Sequence, residues 1–99
     1  MTIKHIVMWK IEGDNKQDRA LKIKEALESL RGKIEGLLAI EVGIDFSKTP
    51  ESSDILLYTE FIDQEALDSY GRNPEHLKVI PIIKELRGTG ERRVVDYVV

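Results

Sequence analysis

The chain contains no cysteine, so disulfides, thiolate nucleophiles and thiolate metal ligands are all excluded. This absence suits a reducing compartment, and we expect the protein in the cytoplasm. No long apolar run predicts a membrane span, and the first ten residues lack the cleavage site of a signal peptide. An excess of positive charge is also missing, because 15 basic residues are dispersed among 18 acidic ones. Neither a membrane nor a nucleic acid is therefore predicted as a partner.

The apolar residues follow two periods along the 99 residues, and these periods predict the order of strands and helices. Alternation is typical of strands, and steps of three and four are typical of helices. The predicted elements are a strand over 2–11, a helix over about 16–34, strands over about 37–46 and 55–62, a helix over 63–70, helical structure over about 74–88 and a strand over 92–99. This is the ferredoxin-like βαββαβ order of an α+β fold, with a four-stranded antiparallel sheet in a single domain over residues 1–99.

Residues with capping and turn chemistry divide the second half of the chain. Asp63 is a predicted helix cap, and Gly71 is expected to end the helix that follows it. Asn73 with Pro74 predicts a second cap with proline at the first helical position. Pro81 lacks an amide hydrogen, so we expect a kink or a fresh start of the helix there.

Both parities of the first and last predicted strands are apolar, although helices can cover only one face of the sheet. Five residues should share the uncovered face, and they are Ile6, Met8, Val95, Tyr97 and Val99. A monomer rarely exposes so large an apolar patch, so we predict a homodimer that packs sheet against sheet. A monomer with a modestly apolar surface is the alternative.

The only two histidines are the first candidates for chemistry, because imidazole alone titrates near neutral pH without help. His5 lies in the first strand, and the terminal strands of this topology are antiparallel neighbours. His5 should therefore approach Asp96 in the last strand. His76 follows the Asn73-Pro74 cap, which determines where its ring points. The alternatives are that His5 is a core histidine with a satisfied ring, that His76 is a surface residue, and that Tyr70 is an aromatic at the core edge.

Three segments of the chain resemble the stress-responsive A/B barrel family, also called Dabb. They are Ile3-Lys4-His5-Ile6-Val7, Tyr70-Gly71-Arg72-Asn73-Pro74-Glu75-His76-Leu77 and Val94-Val95-Asp96-Tyr97. The resemblance covers essentially the whole chain and implies a dimeric α/β barrel. The family includes cofactor-free plant polyketide cyclases such as olivetolic acid cyclase.

The resemblance assigns catalytic roles to three residues here. It implies that His76 is a general base, that Tyr70 donates a hydrogen bond to a developing enolate oxygen, and that His5 holds or polarises the substrate. Asp96 supports His5 by accepting its second ring proton. No cofactor is implied. The plant enzymes have aromatic residues on the first helix, whereas residues 16–34 here have none, so a long alkylresorcylic substrate is not expected.

The resemblance also implies a small, largely apolar cavity between sheet and helices. Its expected lining residues are Val7, Trp9, Ile23, Leu27 and Val94. Two histidines and Asp96 would supply at most three metal ligands without the close spacing of helical zinc motifs, so no metal site is predicted.

Three functions remain open from these observations. The first is a cofactor-free lyase or cyclase-like activity on a small carbonyl compound. The second is a non-catalytic module that binds a small apolar or carbonyl-containing ligand, or that is associated with stress. The third is a structural dimer whose histidines are core residues, and a cavity too small for substrate would favour it.

Overall fold

The computed structural model describes all 99 residues as a four-stranded antiparallel sheet with helices on one face. The elements are β1 Ile3–Trp9, α1 Lys16–Glu28, β2 Leu37–Ile44, β3 Ile55–Phe61, α2 Gln64–Arg72, α3 Pro74–Arg87 and β4 Arg92–Val98. The strands lie in the order β2-β3-β1-β4, so the two terminal strands are neighbours. The predicted ferredoxin-like fold with four antiparallel strands is confirmed. None of the helices combines the length and the apolarity that crossing a membrane requires.

The apolar stripe predicted for the first helix is buried along its whole length, but the helix is shorter than predicted. Its residues Ala20, Ile23, Leu27, Leu30 and Ile34 are all buried in the core. The helix ends at Glu28, and turns with hydrogen bonds between residues three apart carry the chain onward to residue 37. Gly32 and Gly36 adopt positive φ, which glycine tolerates and which stops a regular helix. Turns therefore bury the last two apolar residues of the stripe.

A bulge in β2 changes which of its residues face the core. The pairing with β3 shifts between Leu37 and Ala39, so Leu38 is displaced from the alternation and is 57% exposed. Strict alternation along the strand would place Leu38 on one apolar face with Ile40 and Val42, and the bulge removes it from that face. Phe46 lies beyond the end of the strand and is also exposed.

Two side-chain caps define α2 and α3, as the sequence predicts. The Asp63 carboxylate accepts a hydrogen bond from the Ala66 amide at 2.8 Å. The Asn73 side chain accepts one from the Glu75 amide at 2.8 Å, and the same residue ends α2. Asn73 thus turns the chain sharply from one helix into the next.

The prediction that Gly71 ends α2 is wrong, and of the two alternatives predicted at Pro81 the fresh helix start is excluded. Gly71 does not end α2, which continues to Arg72, since nothing crowds this position and a glycine can remain helical. Pro81 does not start a new helix, because α3 continues through it to Arg87. Proline leaves the Leu77 carbonyl without its usual donor, but Leu77 and Pro81 are both exposed, so water can replace that bond.

The face of the sheet that the helices leave open carries the apolar residues predicted for it. Ile6 lies between Tyr58 on β3 and Val95 on β4, and directly paired residues point to the same face. Val95, Tyr97 and Val99 are exposed at 55%, 41% and 67%. The open face is therefore an apolar surface at the centre and β4 edge of the sheet.

Candidate active site

A cavity of about 500 Å³ lies between the sheet and the second and third helices. Every strand except β2 and all three helices contribute to its wall. The lining residues are His5, Val7, Trp9, Leu27, Leu57, Leu67, Tyr70, Gly71, His76, Ile80, Ile83, Lys84, Arg87 and Arg92. Its volume is in the range of sites that hold small molecules.

His5 is held in the middle of the sheet by its two neighbours. It pairs with Thr59 on β3 and with Asp96 on β4, as the antiparallel register requires. The buried Thr59 hydroxyl donates a hydrogen bond to the His5 carbonyl oxygen at 2.7 Å. His5 Nδ1 forms a short hydrogen bond with Asp96 Oδ1. A carboxylate only accepts, so Nδ1 carries the proton and Nε2 is the nitrogen left for a ligand.

Tyr70 lies near the end of α2 and His76 near the start of α3, and their rings stack. The ring centroids are 4.0 Å apart at an interplanar angle of 28°. Phe61 packs against the same tyrosine at 5.1 Å, and His5 approaches its edge at 6.3 Å. The Asn73 cap creates this arrangement, because it ends the helix that carries Tyr70 and begins the helix that carries His76. The structure thus brings both histidines to one tyrosine.

Two polar atoms of this cluster have no partner. The Tyr70 hydroxyl and His76 Nδ1 are both buried, and neither forms a hydrogen bond within the protein. Such orphaned groups are rare in native proteins, because burying them costs about 1–3 kcal/mol each. Both residues line the cavity. A ligand that satisfies these two groups would recover that cost.

Burial also sets the protonation state of both groups. Burial raises the pKa of Tyr70 to about 12, so the phenol remains a donor at neutral pH. Burial lowers the pKa of His76 below its usual value, and the charge of nearby His5 acts in the same direction. The main chain at Tyr70 and Gly71 favours the protonated ring, so it raises the pKa of His76 and offsets part of that decrease. His76 is accordingly a neutral imidazole at pH 7, which is the form that accepts a proton.

Three cationic side chains that were not predicted from the sequence also line the cavity. Lys84 and Arg87 come from α3, and Arg92 comes from the start of β4. A signal for two of them was present, because His76, Lys84 and Arg87 are spaced by eight and three residues and so share one side of the helix. No comparable signal marks Arg92, which reaches the cavity through its pairing opposite Trp9.

The five apolar residues expected to line the cavity divide into two groups. Val7, Trp9 and Leu27 lie in its wall. Ile23 does not, because it is completely buried in the core one turn earlier in α1. Val94 does not either, because the β4 edge leaves it 40% exposed. No group of three or more His, Cys, Asp or Glu side chains is close enough together to hold a metal ion.

Fold and site together define a small α+β protein of ferredoxin-like topology with a polar cluster in a cavity beside the sheet. The model of the stress responsive A/B barrel domain family, Dabb, matches residues 3–99. The chain therefore belongs to this family. No curated protein matches it.

Solved structures of similar fold include proteins that are described as dimeric. A dimeric protein of unknown function from Bacteroides fragilis is 35% identical, with a TM-score of 0.84 over 99% of this chain and 96% of that one. A dimeric ferredoxin-like protein of unknown function from Jannaschia sp. is 27% identical, with a TM-score of 0.80 over the whole of both chains. A hydroxynitrile lyase from Passiflora edulis is 13% identical, with a TM-score of 0.81 over 99% of this chain and 93% of that one. At that identity the likeness shows the fold alone.

Proposed function

We propose that this protein is a single-domain, cofactor-free acid–base catalyst of the lyase or cyclase class that acts on a small carbonyl compound. The observation that carries the proposal is the pair of orphaned atoms, the Tyr70 hydroxyl and His76 Nδ1, on two stacked residues that line one cavity. One is a donor and the other, in its neutral form, offers a lone pair. Enolisation of a carbonyl compound needs that combination.

The first step uses each group once. A neutral His76 takes a proton from the carbon next to the carbonyl, and the electrons of that C–H bond become the carbon–carbon double bond of an enolate. The carbonyl π electrons move to oxygen, and the Tyr70 hydroxyl donates a hydrogen bond to that oxygen. His5, oriented by Asp96, presents Nε2 to another polar group of the substrate. Elimination or intramolecular attack by the enolate carbon can then follow.

The neutral state of His76 supports its assignment as the base. A charged imidazolium has no lone pair to accept a proton, and burial keeps His76 uncharged at pH 7. The raised pKa of Tyr70, about 12, keeps the donor protonated while the base works. The two groups therefore hold opposite roles over a broad pH range.

Deuterium exchange tests this step without knowledge of the natural substrate. The protein is incubated with 2-nonanone in deuterated buffer, and the loss of the proton signals beside the carbonyl is followed by NMR. We expect exchange above the buffer rate, and a fall of at least about 100-fold in His76→Gln, because a positioned base contributes that much or more. Lys78→Gln, an exposed substitution on the same helix, is the matched control.

Two outcomes would remove the enzyme proposal. Exchange no faster than buffer would refute it, as would an equal rate in His76→Gln and the parent. If 2-nonanone binds, and both proteins hold it equally without exchange, the non-catalytic ligand-binding module becomes the better account of the cavity.

We further propose that the chain forms a homodimer through the open face of the sheet. The support is the exposed apolar surface around Ile6, Val95 and Tyr97, together with the dimeric state of the Bacteroides fragilis and Jannaschia proteins. Val95→Lys places a charge at the centre of this surface. Light scattering should then give 11.3 kDa for the variant and twice that mass for the parent. A parent at the monomer mass contradicts the proposal. The cytoplasmic location rests on the cysteine-free sequence and stays a prediction.

A further inference from the structure

The polar groups of the cavity are separated into two ends. Along α3, His76 and Lys84 are eight residues apart, which is about 12 Å at the rise of a helix. Along β1, His5 and Trp9 are four residues apart, which is about 13 Å in a strand. Arg92 pairs with Trp9, so it belongs to the same end as Lys84. Two independent elements thus give the cavity an imidazole end and a cationic end about 12 Å apart.

The cationic end has no acidic counterpart. Lys84, Arg87 and Arg92 line the cavity, and no aspartate or glutamate lines it. Neither Lys84 nor Arg92 takes part in an ion pair. Arg87 donates one hydrogen bond to the Gly90 carbonyl at 2.8 Å and keeps its charge uncompensated. Three positive charges without a partner therefore surround one end of the cavity.

Two carboxylates close in sequence to the cationic residues are engaged elsewhere. Glu12 accepts a hydrogen bond from the Thr89 hydroxyl, and Glu91 pairs with Arg93, which lies two residues further along in β4. Both lie outside the cavity wall. The three cations consequently favour an anion brought by a ligand, since like charges held close together are costly without one.

The wall between the two ends is apolar. Val7 and Leu57 contribute from the sheet, and Ile80 and Ile83 contribute from α3. A ligand that reaches from the imidazoles to the cations must therefore cross a hydrocarbon-lined middle section. A ligand that matches this cavity has a carbonyl group at one end, an apolar middle and an anionic group at the other end.

We propose that the substrate of this site is a carbonyl compound that carries a carboxylate at the far end of an aliphatic spacer. Its carboxylate binds Lys84, Arg87 and Arg92, and its carbonyl lies beside Tyr70 and His76. The planar guanidinium groups match the two oxygens of a carboxylate. The inference rests on the proposed function, because it names the substrate class for the same cavity.

A matched pair of probes tests the inference by calorimetry. One probe is 8-oxononanoate, in which six methylenes separate the ketone carbon from the carboxylate, and the other is its methyl ester. We expect the acid to bind about tenfold more tightly or better, because hydrogen bonds to charged groups have about that effect. Raising the salt concentration should weaken binding of the acid and leave the ester unchanged.

Variants locate the effect. Lys84→Met and Arg92→Met should each reduce affinity for the acid several-fold and leave that for the ester unchanged. Both side chains are exposed at the cavity rim and have no ion pair, so neither change disturbs the fold. Lys78→Met removes a cation from the same helix outside the cavity and should change neither affinity.

Equal affinity of acid and ester would overturn the inference, as would failure of both to bind or an unchanged affinity in both rim variants. These outcomes differ from failure of the proposed function. If exchange of 2-nonanone requires His76 but the acid binds no more tightly than the ester, the proposed catalytic function stands and the proposed carboxylate-bearing substrate is refuted. If the acid binds more tightly than the ester but no exchange occurs, the anion-binding end of the cavity stands and the proposed catalytic function is refuted.

Discussion

Removing the Tyr70 hydroxyl should make the protein more stable and less active. Tyr70 is 4% exposed, and its hydroxyl has no hydrogen-bond partner. A tyrosine at such a site carries the desolvation cost of a phenol without compensation. Tyr70→Phe removes this polar atom and keeps the ring, which packs between Phe61 and His76.

The size of the effect follows from two terms. An unsatisfied buried hydroxyl costs about 1–3 kcal/mol, and the variant recovers this amount. The small void left by one oxygen atom removes part of the gain, about 0.5 kcal/mol. The net stabilisation is therefore about 0.5–2.5 kcal/mol. In a domain of this size each kcal/mol moves the melting temperature by about 4–8 °C.

Urea and thermal unfolding measure this change, and exchange of 2-nonanone measures the loss of activity. Activity should fall by about 100-fold, the usual effect of removing one donor to a developing oxyanion. Tyr58→Phe is the matched control, because the Tyr58 hydroxyl donates to Glu60 at 2.6 Å and its loss should cost about 1 kcal/mol. A Tyr70→Phe variant that is less stable than the parent would refute the reasoning, since it would show that the hydroxyl has a partner in solution.

Three further predictions concern the protonation of His76, the His5–Asp96 pair and Gly90. The pKa of His76 is lowered from 6.5, so the unfolded chain binds more protons just below pH 6.5 and stability should fall with the pH in that range. Urea unfolding at several pH values should show this loss, together with slower exchange, and His76→Gln should lack the loss of stability. Asp96→Asn should replace a carboxylate that only accepts with an amide that can accept or donate, so the His5 tautomer is no longer fixed and NMR of the ring nitrogens should show mixed tautomers; an unchanged spectrum would contradict the coupling. Gly90→Ala should destabilise the fold by about 3 kcal/mol, because its methyl group would overlap a main-chain carbonyl. Gly43→Ala, which meets nothing, should change unfolding by less than about 0.5 kcal/mol, and equal effects would contradict the prediction.

The caps and the apolar periods predicted most of the fold because they act locally. Asp63 and Asn73 bond main-chain amides two or three residues away, so their effect can be read from neighbouring residues. The bulge at Leu38 could not be read in the same way. There the pairing of β2 with β3, rather than local preference, decides which residues are buried.

Pro81 illustrates the same limit from the opposite direction. Its chemistry opposes a continuous helix, yet α3 continues through it because the residues around it are exposed and water can satisfy the free carbonyl. A local signal was overridden by the packing of Val79 and Ile83 into the core on the other side of that helix.

The sequence by itself determined the order of elements, the neighbouring positions of His5 and Asp96, and the presence of only two imidazoles. Each of these depends on local periodicity, on topology or on the chemistry of one side chain. Only the tertiary structure decided that the Tyr70 hydroxyl and His76 Nδ1 are buried without partners, and that Arg92 faces the same cavity as Lys84 and Arg87. Burial and proximity arise from residues that are distant in the chain, so no local pattern encodes them.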